Sequence, residues 1–160
     1  MYFASEQSGS IMQQRRRAVD IMERFIDRDR YARYLGVEIY QWGEGTAKAK
    51  LELNKNHLNS VNTVHGGVIF SLADSAFSVA SNSHGNVAVA IQVCISYFKA
   101  ASSGTLYAEA RQVSRNPKLA TYLIEVTDDT GSLLGLFQGT VYRKSARIEE
   151  VLAWIPTLVF

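Results

Sequence analysis

The stretch HLNSVNTVHGGVIFSLADSAFSVASNSHG, residues 57–85, carries the most apolar helical pattern in this 160-residue chain. Between Val64 and Asn82, the residues Val68, Ile69, Leu72, Ala73, Ala76, Phe77 and Ala80 cover most of a helix circumference. A helix that is apolar nearly all round is a buried one. Gly85 supplies its stop signal. Asp74 lies two turns into this helix, and burying an ionised carboxylate without partners costs several kcal/mol or more. It must therefore be hydrogen-bonded or face a polar pocket. Ser71, Ser75 and Ser78 are its polar neighbours on the helix. The pattern alone leaves open a capped, structural carboxylate and a catalytic one.

The start of the helix is unusual in a second way. Gly66 and Gly67 each lower helix propensity by about 1 kcal/mol, so two in succession need a reason. Glycine lets another group approach the backbone closely. The free N–H groups and dipole of a helix N-terminus also favour negative charge. That suits the oxyanion formed when an ester or thioester carbonyl is attacked. Close packing of helix on sheet explains the same glycines equally well.

Working outward, Ile11 to about Tyr34 reads as one amphipathic helix through Ala18, Ile21, Met22, Phe25 and Ile26. Residues 1–10 are expected to fray. Residues 36–42 and 46–53 read as strands around Gly43-Glu44-Gly45, and Ala47, Ala49, Leu51 and Leu53 alternate with charged residues. After the central helix come four strand-like runs, 87–99, 105–114, 119–128 and 133–143, divided by turn-forming sequences and free of proline. The apolar tail Ile148 to Phe160 is expected to dock on its own domain or on a neighbouring subunit. These elements divide the chain into a helical extension (1–34), a main domain (35–145) and the tail (146–160). One buried helix between a strand pair and a four-strand meander predicts an α+β domain whose sheet wraps that helix.

Composition narrows the function. A net charge of +2 is too small to argue for nucleic acid. The arginines of the first 34 residues are interleaved with Asp20, Glu23, Asp27 and Asp29, as on a solvated helix face with local ion pairs. No apolar run approaches the roughly 20 residues of a membrane span. The opening MYFASEQSGS lacks the features of a signal peptide, which predicts a cytoplasmic protein. The single cysteine, Cys94, is expected to be a small buried hydrophobe. His57, His65 and His84 lack metal-ligand spacing, so no metal and no cofactor are expected. His57 and His84 read as surface or capping residues, and Asn59 by itself is an ordinary turn residue.

The match of residues 57–85 to known sequences extends through Leu58-Asn59, Leu72 to Asp74, the Val-Ala-Val-Ala strand, Ile95-Ser96-Tyr97-Phe98 and Gly139 to Arg143. Over residues 34–144 the chain closely resembles the phenylacetate-degradation (PaaI-type) thioesterases of the hot-dog superfamily. The resemblance implies a long central helix wrapped by an antiparallel sheet. It implies dimers with a continuous sheet, pairing further into homotetramers, and an active site at the subunit interface. It implies hydrolysis of acyl-CoA thioesters, with aryl- or medium-chain acyl groups. Gly66 N–H would polarise the thioester carbonyl, Gly67 would let the substrate approach, and Asn59 would hold the carbonyl or the attacking water. Asp74 of the partner subunit would be general base or nucleophile, and His65 would order the loop. Gln92 is a candidate for orienting water, where relatives often carry a hydroxyl residue. Arg115 and Lys118 are candidates for the coenzyme A phosphates. A hot-dog dehydratase and a non-catalytic acyl-CoA-binding or regulatory protein are the alternatives. The aromatic residues Phe70, Phe77, Tyr97 and Phe98 are expected in the core.

Overall fold

The computed structural model describes residues 3–154, with side chains from residue 11 onward. Its elements in chain order are α1 (Phe3–Asp27), α2 (Arg30–Leu35), β1 (Glu38–Gly43), β2 (Thr46–Glu52), α3 (Gly66–Asn82), β3 (Asn86–Tyr97), β4 (Thr105–Arg115), β5 (Leu119–Thr127), β6 (Leu133–Arg147) and α4 (Ile148–Trp154). The six strands form one antiparallel sheet in the order β1-β2-β4-β5-β6-β3. Helix α3 touches all six strands. This is the expected α+β architecture, a sheet wrapped around one long helix.

The strand alternation seen in the sequence selects which face meets α3. Ala47, Ala49 and Leu51 of β2, with Leu106, Ala108 and Ala110 of β4, point inward and are fully buried. The registered pairs Ala47–Ala110 and Ala49–Ala108 leave little side-chain height between helix and sheet. On β5 and β6, Tyr122, Ile124, Phe137 and Val141 complete the core. Phe77 of α3 packs between Tyr122 and Phe137, with ring centroids 5.6 Å from each. A helix with so continuous an apolar surface is stabilised by burial, which offsets the cost of its two leading glycines.

Four expectations need correcting. The single helix over 11–34 is two helices. Asp29 accepts a hydrogen bond from Ala32 N–H at 2.9 Å and starts α2 as its N-cap, which turns the chain after Asp27. The helical backbone also runs back to Phe3, through residues expected to fray. Cys94 is exposed, because its neighbours Val93 and Ile95 pack against the core and the alternation of β3 turns Cys94 to the other face of the sheet. Tyr97, the last residue of β3, and Phe98 beyond it are 50% and 58% exposed, while Phe77 is in the core. The arginine-rich face of α1 is exposed as expected, but Arg17 pairs across to Glu149 of α4 at 2.9 Å. Ile148 and Leu152 of α4 dock on the chain's own domain. The rest of the apolar tail lies outside the described residues. No described helix is long and apolar enough to cross a membrane.

Gly139 of β6 marks the closest approach of helix and sheet. A Cβ there would stand 2.5 Å from Cζ of Phe77, whose ring is itself held between two aromatic neighbours. Gly139→Ala should therefore destabilise the protein by about 1–3 kcal/mol in urea titrations, the range of overpacked cores. Adding Phe77→Leu should recover part of that loss.

Candidate active site

The segment before α3 is drawn tight by its own side chains. Asn54 and His57 form a capping box around a short 3₁₀ turn (Lys55–His57), and His57 is 5% exposed, a capping residue buried by that role. His57 C=O accepts a hydrogen bond from His65 N–H at 2.9 Å, which pins the start of α3 to this turn. Between them, Asn59 closes a small loop. Its Oδ1 accepts from Val61 N–H (3.0 Å) and Thr63 N–H (3.2 Å), and its Nδ2 donates to Thr63 Oγ1 at 2.9 Å. The second N–H of the Asn59 amide makes no hydrogen bond among the described residues.

At the helix start, His65 is the N-cap. Its Nδ1 accepts from Gly67 N–H at 2.9 Å, so the neutral ring carries its proton on Nε2. Val68 N–H donates to His65 C=O at 2.9 Å. Gly66 N–H makes no hydrogen bond among the described residues. It is the free donor at the positive end of a 17-residue helix. The residue that approaches the glycine backbone is Tyr97. Its O–H donates to Gly66 C=O at 2.9 Å, and a Cβ on Gly66 would lie 3.3 Å from the phenol ring. The sequence called for a close-approaching group here but not for Tyr97, which is 31 residues away.

Down the helix, Gly67, Ser71, Asp74 and Ser78 share one face at i, i+4, i+7 and i+11. The serines do not cap Asp74, as one reading of the sequence allowed. Ser71 Oγ donates to Gly67 C=O at 2.7 Å and Ser75 Oγ to Ser71 C=O at 2.8 Å, each one turn back along the helix. Asp74 is half-buried and makes no hydrogen bond among the described residues. Burial pushes its pKa up from the ordinary carboxylate value, and the nearby negative charge of Asp29 pushes it further in the same direction. Asp29 was legible only as a helix-face charge, although an Asp just ahead of a helical run is also an N-cap signal. Tyr31 Oη, 3.4 Å from Ser71 Oγ, lays α2 across this face.

Within one chain these parts stand apart. Eight residues of helix separate Gly66 from Asp74, about 12 Å along the axis. Gln92 is exposed on the unpaired side of the sheet, opposite Thr140. Arg115 and Lys118 lie at the far end of α3, about 25 Å from Gly66 along its axis. There Arg115 Nη1 is 2.9 Å from Nδ1 of His84, and Lys118 Nζ sits 5.8 Å from the Tyr142 ring centroid. His84 is held between Arg115 and Gln112, and burial lowers its pKa.

Residues 61–134, which include α3 and its glycine start, match the family model of the thioesterase superfamily. A putative esterase of Archaeoglobus fulgidus is 50% identical over 116 residues, covering 72% of this chain and 75% of that one. The acyl-coenzyme A thioesterase PaaI of Escherichia coli is 34% identical over 118 residues, covering 73% and 84%. The solved structure of the E. coli PaaI protein superposes with a TM-score of 0.78 at 30% identity, over 81% of this chain and 95% of that one. With the same sheet wrapped around the same helix, this chain belongs to the thioesterase superfamily and is a thioester hydrolase of the hot-dog fold.

Proposed function

We propose that the protein hydrolyses acyl-CoA thioesters to the free acid and coenzyme A, with Asp74 as the reacting carboxylate. The observation that carries this reading is the state of Asp74: half-buried on the central helix, raised in pKa and without a hydrogen-bond partner among the described residues. Such a group costs stability and is kept where it does chemistry. The free Gly66 N–H supplies the complementary part, a preorganised donor for a tetrahedral oxyanion. The name and activity of the E. coli relative support the choice of acyl-CoA as substrate.

The site in this reading is shared between two subunits. Strand β3 is a 12-residue edge with no charged residue, and Val89 and Ile91 are exposed on it. A long uncharged edge of this kind is a template for pairing with another chain. A β3–β3 contact in a homodimer, pairing again in a tetramer, brings Gly66 and Asn59 of one subunit to Asp74 of the partner subunit. Water attacks the carbonyl while Asp74 takes its proton, the oxyanion rests on Gly66 N–H, and the C–S bond breaks to release coenzyme A. Alternatively Asp74 attacks first and water cleaves the resulting anhydride. In a single turnover in isotopically labelled water, an enzyme oxygen in the first product identifies the second route, with water attacking the aspartyl carbon of the anhydride. His65 holds the glycine turn and Gln92 orients water. Arg115 and Lys118 contact coenzyme A phosphates, and residues 1–34 and 146–160 flank a catalytic domain of 35–145.

Asp74→Asn should lower kcat for acyl-CoA hydrolysis by ~10²-fold or more, followed with a thiol reagent. Wild-type rates for Asp74→Asn would remove the assignment, and tight acyl-CoA binding without turnover by the wild type would make the chain a binding module. The same substitution should raise the melting temperature at neutral pH. Because the folded-state pKa of Asp74 is raised, the folded chain binds the proton more tightly than the unfolded one, and stability falls as pH rises through that pKa. The stabilisation by asparagine should accordingly fade as pH drops to the ordinary carboxylate range. In Asp29→Asn, loss of the neighbouring charge should shift the acid limb of kcat/KM to lower pH. Ile91→Lys on the β3 edge should give a monomer in sedimentation, with activity lost.

A further inference from the structure

A cavity of about 600 Å³ lies between α3 and the helices α1, α2 and α4. Protein interiors are packed to crystal density, and voids larger than a water molecule are few. Helices that served only to cover the core would close over it. Instead Phe25, Ile26 and Val37 stay half-buried around open space, with Val79 of α3 as its apolar floor and Ile148 and Leu152 of α4 in its roof. The roof is fastened at both ends, since Arg17 pairs with Glu149 at 2.9 Å and Arg28 Nη1 donates to Leu152 C=O at 3.0 Å. All three roofing helices lie outside residues 61–134, the part matched by the family model.

The cavity starts beside the carboxylate. Asp74 itself is not in its wall, but Ser75, the next residue, and Ser78, one turn on along the same face, both are. Asp29 lines it as well, from the α2 side. Ser75 has turned its hydroxyl hydrogen to Ser71 C=O, so it presents little donor capacity to the space. The cavity's lining is mostly apolar, with the charged residues Asp27, Arg28, Asp29, Arg33 and Glu38 standing on the α1, α2 and β1 side. A mostly apolar pocket with a few polar groups is the form of a site for an apolar ligand with a polar head.

We propose that this cavity receives the acyl chain of the thioester, and that its occupant is a linear chain rather than a single aryl ring. The inference rests on Asp74 being the reacting carboxylate. With the carbonyl at Asp74, the chain runs past Ser78 and Val79 beneath α2 and α4. An apolar cavity of about 150 Å³ suffices for benzene, so one of this size suits roughly ten to sixteen chain carbons. The terminal helices then set substrate length, a property that the thioesterase core alone does not carry.

The test is a chain-length series with the full chain: butanoyl-, octanoyl-, dodecanoyl-, hexadecanoyl- and phenylacetyl-CoA. Wild-type kcat/KM should rise by up to about fourfold per added methylene until the cavity is filled. Ala32, buried on α2 and part of the lining, offers a place to shorten it. Ala32→Phe should cut kcat/KM for dodecanoyl-CoA by about tenfold or more and leave butanoyl-CoA within about twofold. Should that variant fail to fold, Val151→Phe at the 39%-exposed rim gives the same reading. A profile flat with length, a preference for phenylacetyl-CoA, or a profile unmoved by both substitutions would overturn the inference. So would a chain ending at Trp154 that gains a long-chain preference absent from the wild type, because the protein's own end would then be the occupant. Butanoyl-CoA turnover and its loss in Asp74→Asn report on the catalytic assignment separately.

Discussion

The closeness of α3 to the sheet governs most of this molecule. It is set by small residues in register, Ala47 against Ala110 and Ala49 against Ala108, and by Gly139 under the Phe77 ring. Had these positions carried larger side chains, the helix would stand higher and its apolar surface would lose contact with one strand or another. Held at this height, α3 fixes the positions of Gly66 at its start and of Asp74 midway along. The two residues of the proposed site are therefore placed by packing that has no chemical role of its own.

The same helix carries a conflict between stability and chemistry. Its polar stripe, Gly67-Ser71-Asp74-Ser78, interrupts an otherwise apolar surface, and the serines turn their hydrogens back into the helix rather than toward the carboxylate. Helix α2 then lies over that stripe and adds the charge of Asp29. Burial and the charge of Asp29 both disfavour an ionised Asp74, and Asp29 also serves as the N-cap of α2. A carboxylate treated this way holds a proton more readily than one in water.

Much of this was legible in the sequence, for reasons of period. The all-apolar pattern of 64–82 gives the buried helix, and the two-residue alternation of Ala47, Ala49 and Leu51 gives a strand with one inner face. Non-local facts were harder to read. Cys94 lies in a stretch as apolar as any core strand, yet it is exposed, because a run that is apolar at nearly every position does not show which alternate residues face the core. The break between α1 and α2 turns on the single Asx cap at Asp29, in a run of alternating charges that looks like continuous helix face. Asn59 reads as a turn residue and is one, closing its loop with three hydrogen bonds, so its proposed role at the carbonyl rests on one remaining N–H. The contact of Tyr97 with Gly66 and the cavity under α2 depend on how distant segments meet, which no local pattern encodes.

Strand order has a bearing on how the chain comes into being. Strand β3 pairs only with β6, the last strand to be synthesised. At about 5–20 residues per second, several seconds pass on the ribosome between the completion of β3 and the arrival of its partner. During that interval an uncharged strand, with the phenol that later anchors the start of α3, has nothing of its own chain to pair with. Vulnerability to misassociation should thus peak before the chain is finished, and the geometry at Gly66 is among the last features to mature.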